Sequence, residues 1–477
     1  MAARAIEPFS WRLAALIALG TCLMAVSPVI GTVMLGACVL ATLLGPAWAL
    51  RALALATLIC YANPHIIKLS PVASVLLRVV LVVAILRILP LVRGSDLRLV
   101  WPIWLLGLLS ALTSVVTSPA LEISIMKVIT FTLAATTVIV AFGRVKGQRL
   151  ARLESWFVTL GTTVTVLSGL TLLKPGLGIG SDGGLQGLLG QPQALGIFMA
   201  PFAAWALAGV LLMRRGASRL ELWFALGSVV LIVLTRARTA AFATALALAV
   251  VMASRALGRR RAGQASLGRP ALLVSIAALA ILGLAVTSGA VSRLATGFAF
   301  KDYDATHRSL GGAFYDSRGG GILSEWRDFE KSPVLGNGFG VYPDGKFPVP
   351  VVRFAGIPIS APIEKGFLPT AILQEGGLVG AASLTLLIVW LGRRAWRAPD
   401  LRWRAMFVAC LAVNVGECVF LSPGGIGLLD WLLIGVAISA CRLPGVTAPA
   451  RELTRLEAQP PAQPARVAGV SLPAVPS

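Results

Sequence analysis

Apolar runs of about 17 to 22 residues recur along this chain with short polar connections between them, the length a helix needs to cross a hydrocarbon core of about 30 Å. They lie near 11–27, 29–45, 47–62, 71–89, 99–117, 122–142, 155–173, 194–213, 220–236, 239–254, 270–287, 366–391, 405–421 and 424–440. The pattern predicts an all-α fold, a polytopic membrane bundle of about 12–14 transmembrane helices, the lower number holding if the short first pairs merge. The first run follows Arg4 and Arg12 like a signal-peptide core. No small-residue cleavage site stands clear of the next run, so it reads as a retained helix.

One interruption departs from this rhythm. From roughly Ser288 to Lys365 the chain is polar and too long to be a connector. The expected organisation is therefore an N-terminal bundle over 1–287, one large external loop over 288–365, C-terminal helices over 366–441 and a tail over 442–477. That tail is rich in Pro and Ala, cannot bury enough apolar surface to order itself, and reads as a disordered cytoplasmic extension.

Composition agrees with the pattern. With 57% hydrophobic and 13% charged residues, no soluble core could hide the apolar side chains. The net charge of +22 comes from short basic clusters between apolar runs, without interleaved aromatics, which excludes nucleic acid as a partner. The clusters at Arg144–Arg152, Arg214–Arg219, Arg255–Arg269 and Arg393–Arg404 fall on alternate connections. Basic residues are retained in the cytoplasm, so both termini are expected inside and the connections at 63–70, 174–193 and 288–365 outside. The six cysteines all lie within or at the ends of apolar segments, which disfavours a metal or disulfide framework.

Several residues stand out against this background. Arg236 and Arg238 sit at a helix–helix corner on the external side, against the charge bias. Guanidinium matches phosphate oxygens there, and snorkelling to lipid head groups is the plainer alternative. The glycine-rich connection from Gly176 to Gly196, containing Gln191 and Gln193, offers exposed backbone N–H groups for phosphate or sugar, or is simply a flexible turn. Within the long loop, Asp316, Arg318, Glu325, Trp326, Arg327, Asp328 and Glu330 combine carboxylates, arginines and aromatics. A short amphipathic helix is predicted from about Leu323 to Glu330, stopped by Pro333. Glu375 is drawn into or near the bilayer, as are Arg78, Glu417 and Asp430, where a charge is costly and marks a function or an internal pair.

The order of these pieces resembles the O-antigen ligase and O-antigen polymerase superfamily of bacterial envelope glycosyltransferases, over about Gly187 to Gly380. Gly190-Gln191-Pro192-Gln193-Ala194-Leu195-Gly196 is similar to the family's glycine, x-Pro-Asn/Gln and Leu-Gly segment. Leu234-Thr235-Arg236-Ala237-Arg238-Thr239-Ala240 looks like its Leu-Thr-x-Ser-Arg-Gly-Ala segment, which sets Arg238 on the family's external arginine. Arg318, Trp326 and Pro333-Val334-Leu335-Gly336-Asn337-Gly338 resemble its loop pattern, with a stretched Arg-to-Trp spacing. Gln374-Glu375-Gly376-Gly377-Leu378-Val379-Gly380 matches its Glu-x-Gly-x-x-Gly re-entry helix. The ligases carry a histidine at the position that is Gly366 here, and the chain's two histidines are His65 and His307.

The resemblance implies a bacterial inner-membrane enzyme that transfers or polymerises glycan from an undecaprenyl-pyrophosphate donor to a glycan or lipid A core acceptor, inverting and without metal or other cofactor. The long loop is then a cover over the lipid-pyrophosphate site. Arg238 and Arg318 are the expected cations at the leaving pyrophosphate, with Arg236, Gln191, Gln193, Glu325, Trp326 and Glu375 around the substrate. Glu364 is the first choice of base, before Glu325 or His307. A lipid-linked glycan transporter or flippase is the alternative from another class, expected to show two similar halves, and a catalytically silent lipid-glycan-binding relative is a third.

Overall fold

The computed structural model describes residues 9–70, 72–180, 183–212, 218–261, 319–345, 351–354, 356–361 and 365–442. Helices α1 (Trp11–Val26), α2 (Pro28–Leu43), α3 (Pro46–Cys60), α4 (Ala73–Ile88), α5 (Gly94–Thr117), α6 (Leu121–Arg144) and α7 (Gly147–Leu170) run in succession. The one-turn α8 (Pro175–Gly178) leads to α9 (Pro192–Leu212), α10 (Arg219–Leu234) and α11 (Arg238–Arg261). After α12 (Gly320–Lys331) and a small antiparallel hairpin, β1 (Val352–Phe354) and β2 (Ile357–Ser360), come α13 (Leu368–Ala395), α14 (Leu401–Ala412) and α15 (Gly427–Ser439).

Each predicted span meets a helix except 270–287, which lies outside the described residues. Among the described residues, seven helices are long and apolar enough to cross a membrane, and α1, α2, α3 and α15 are shorter apolar helices. The first pairs do not merge, because Pro28 and Pro46 each open a new helix, where a missing backbone N–H costs nothing. The 405–421 span is corrected: α14 ends at Ala412. Asn414 takes over from the helix there, donating its amide to the Cys410 carbonyl (2.9 Å) and accepting from the Phe420 N–H (2.8 Å). A side-chain amide that satisfies backbone groups on both sides stabilises a turn in place of the apolar continuation.

Helix α9 is the centre of the bundle, with 78% of its most apolar window buried, against 28% for the peripheral α4. It is apolar all round, as a helix surrounded by other helices must be. Small residues let neighbours approach: a methyl added at Gly161 of α7 would lie 2.6 Å from the Phe202 ring of α9. Peripheral helices turn leucine, valine and tryptophan outward, including Leu16, Val33, Leu40, Trp104, Leu108 and Leu112. That inside-out surface belongs in lipid.

The connections sort to two ends. At one end Arg144 pairs with Asp96 across α5 and α6, and Arg402 bridges Glu221 (2.8 Å) and Asp400 (2.6 Å). At the other, Asn63 beyond α3 donates its side-chain amide to the carbonyls of Leu177 and Gly187 (2.7 and 2.8 Å), so the connections after α3 and α7 meet. The connections after α3 and α7, which the charge pattern groups on one side, thus meet.

Candidate functional site

Helix α13 is broken at Gly377, whose φ of +59° and ψ of −155° are open only to glycine. A break inside a membrane-depth helix strands carbonyls on one side and N–H groups on the other, each costly in a low dielectric. The segment Pro333–Gly338 fills the gap. Asn337 and Gly338 donate their N–H groups to the carbonyls of Gln374 and Glu375 (2.8 and 3.0 Å). Leu378 and Val379 donate to the carbonyls of Pro333 and Val334 (2.9 and 3.3 Å). The approach is close enough that a methyl at Gly336 would lie 2.4 Å from the Glu375 carbonyl carbon, and one at Gly377 would lie 2.4 Å from Val334 backbone atoms. Two sequence motifs that are weak separately are therefore one interlocked unit.

The break sets Glu375 facing inward. Its Oε1 accepts from the Lys365 ammonium at 2.8 Å, with both side chains almost fully buried. Lys365 also donates to the Val341 carbonyl (3.3 Å), and its ammonium lies 5.5 Å from the centre of the Tyr342 ring. Lys127, from the first turns of α6, donates to the Gly340 carbonyl at 2.6 Å. These three groups, with Phe339, Gly340, Cys418, Leu421 and Ser422, line a cleft of about 30 Å³. Its second carboxylate oxygen, Glu375 Oε2, is buried without a hydrogen-bond partner among the described residues.

Helix α12 closes one flank of this recess. It buries Glu325, which accepts a hydrogen bond from the Thr370 hydroxyl, while Asp328 accepts from the Gln374 amide (3.0 Å). Burial raises the Glu325 carboxyl above its ordinary value, against the pull of the Thr370 hydrogen bond and the Lys365 charge. The helix is amphipathic in an unexpected sense: Glu325 points in, whereas Trp326 is 43% exposed and stacks on Phe329 with ring centres 5.3 Å apart.

The arginine corner lies at the same end. Arg236 has a φ of +53°, unusual for a residue with a side chain, and its guanidinium packs beside Gly183 of the glycine-rich connection. Arg238 opens α11, and Thr239 abuts Gly416. The same turn donates the Cys418 N–H to the Lys365 carbonyl (3.0 Å), so the corner and the lysine cluster share one connection. The described residues of the glycine-rich connection are held on Asn63 through the Leu177 and Gly187 carbonyls, with Gln191 exposed before α9 and Gln193 half-buried in its first turn. Glu364, Arg318 and His307 lie outside the described residues.

Sequence reasoning selected Glu375 but not its neighbours Lys127 and Lys365. The signal for Lys127 was present, since it is a cation inside an apolar helix of membrane-spanning length, well away from the terminal Arg144. Lys365 carried none, because only the fold returns the end of the loop to the buried carboxylate. No protein-family model matches the chain, and no curated protein matches it.

Proposed function

We propose that this protein is an inner-membrane glycosyltransferase that moves or polymerises glycan from an undecaprenyl-pyrophosphate donor at the external face, like the O-antigen ligases and polymerases its motifs resemble. The observation that carries this reading is the interlock of Pro333–Gly338 with the break at Gly377, which joins the loop motif to the re-entry motif around a recess of buried carboxylates and cations. In the reaction, an acceptor hydroxyl attacks the anomeric carbon as the bond from that carbon to the pyrophosphate oxygen breaks. The hydroxyl proton passes to a carboxylate, and the departing charge meets fixed cations. Arg238 and Arg318 are proposed for the leaving group and Glu364 for the proton.

The test is glycan-chain product in membranes supplied with a polyprenyl-pyrophosphate-linked glycan and acceptor. Arg238→Ala and Glu364→Gln are each expected to lower product formation by about a hundredfold, the usual weight of one oxyanion-stabilising or proton-transferring group. Undiminished product from folded, membrane-inserted variants removes those roles. The broken α13 also favours a second reading, since discontinuous helices form the substrate sites of many transporters. Movement of a fluorescent lipid-linked glycan across proteoliposomes without any new glycosidic bond selects that reading.

A further inference from the structure

The cleft between α6, the Pro333–Gly340 segment and α13 has a definite set of unused valences. Each lysine ammonium carries three N–H groups. Among the described residues, Lys365 uses two, on Glu375 and on the Val341 carbonyl, and Lys127 uses one, on the Gly340 carbonyl. Among the described residues two donors of Lys127 have no hydrogen-bond acceptor and the third of Lys365 has only the Tyr342 ring beside it, and one acceptor, the buried Glu375 Oε2, has no donor. Two ammonium groups and the Glu375 carboxylate give the lining a net charge of +1 beside a wall of Phe339, Cys418 and Leu421, and the next buried carboxyl, Glu325 on the flank, is held towards its neutral form by burial. A buried net charge calls for a counter-charge. The space of about 30 Å³ holds about two water-sized groups, which matches two oxygens of a larger anion entering from the rim.

From these features we infer that the Lys127–Lys365–Glu375 cleft is a binding site for a phosphate group that carries a hydrogen. Its ionised oxygens take the free N–H groups of the lysines, and its P–O–H donates to Glu375 Oε2. Water supplies the donor but not the counter-charge. Sulfate supplies the charge but turns a lone pair towards the carboxylate oxygen, so the site must discriminate between two anions of nearly equal size. The phosphate could be free in solution or the head group of a phosphorylated lipid, since both present the same oxygens. The assignment goes beyond the transfer reaction and does not require it.

The test uses the full-length protein in nanodiscs of zwitterionic lipid, with inorganic phosphate and then sulfate titrated by calorimetry at neutral pH. Phosphate is expected to bind at least about tenfold more tightly than sulfate, the weight of one hydrogen bond to a charged group. Glu375→Gln is expected to abolish that preference. Lys127→Ala is expected to weaken phosphate by about tenfold or more while leaving the Lys365–Glu375 pair, and so the fold, in place. Equal affinities for the two anions, or phosphate binding unchanged in Lys127→Ala, overturn the assignment. Competition by polyprenyl phosphate in the nanodisc identifies a lipid head group as the source, and absence of competition identifies free phosphate. Glycan transfer without phosphate selectivity would remove the cleft and keep the proposed function. Selectivity without transfer would do the reverse.

Discussion

Removing Lys365 takes from the buried Glu375 carboxylate its hydrogen-bonded cation and leaves only Lys127 across the cleft, whereas removing both partners leaves apolar volume to repack beside Lys127, which keeps its bond to the Gly340 carbonyl. Lys365→Met is therefore expected to destabilise the protein by about 3–5 kcal/mol, and Lys365→Met with Glu375→Leu to recover most of that loss. Thermal unfolding in detergent reads the difference. Equal losses in the single and double variants would show that the pair adds nothing specific. Glu325 offers a pH-dependent counterpart outside the membrane-spanning helices. Its carboxyl is raised chiefly by burial, so its contribution to docking α12 is fully present below the ordinary carboxyl value and is lost as pH rises through the raised one. Hydrogen exchange across 320–331 should speed up over that interval in the wild type. In Glu325→Gln, which keeps an acceptor for Thr370 but cannot ionise, the rate should stay flat once the intrinsic pH dependence of exchange is subtracted.

At the scale of elements, the interlock depends on two backbone surfaces meeting without side chains between them. Gly377→Ala forces a side chain into a glycine-only conformation and against Val334, at a cost of order 3 kcal/mol, felt first at the break. Loss of exchange protection at Asn337, Gly338, Leu378 and Val379, with the distant α9 still protected, is the expected signature. Uniform protection in the variant would show that the segment does not hold the helix ends. Both halves of this unit were present in the sequence as glycine-bearing motifs in a suggestive order. That they touch was not legible there, because the hydrogen bonds are between main chains and leave no trace in side-chain pattern. Helix α12 was legible as an element, but its inward face was not: periodicity favours Trp326 and Phe329 as the buried stripe, and the polar recess takes Glu325 instead.

For the whole molecule, the two ends of the bundle give a topology that reporters can check. A reporter phosphatase that is active only outside the cytoplasm, inserted after Ile66, is expected to be active, and after Lys146 inactive. The opposite result would invert the protein and place the Lys127–Lys365–Glu375 cleft on the cytoplasmic side, out of reach of external chemistry.

The sequence by itself determined that this is a helical membrane protein and where most of its helices lie. Those properties follow from hydrophobic length and charge, which are local and accumulate residue by residue. Tertiary structure alone decided that α13 is broken at Gly377 and mended by the loop, and that Lys127 and Lys365 converge on Glu375. Each of these depends on a long-range contact, in which a polar group in a low-dielectric interior must find a partner wherever the fold provides one.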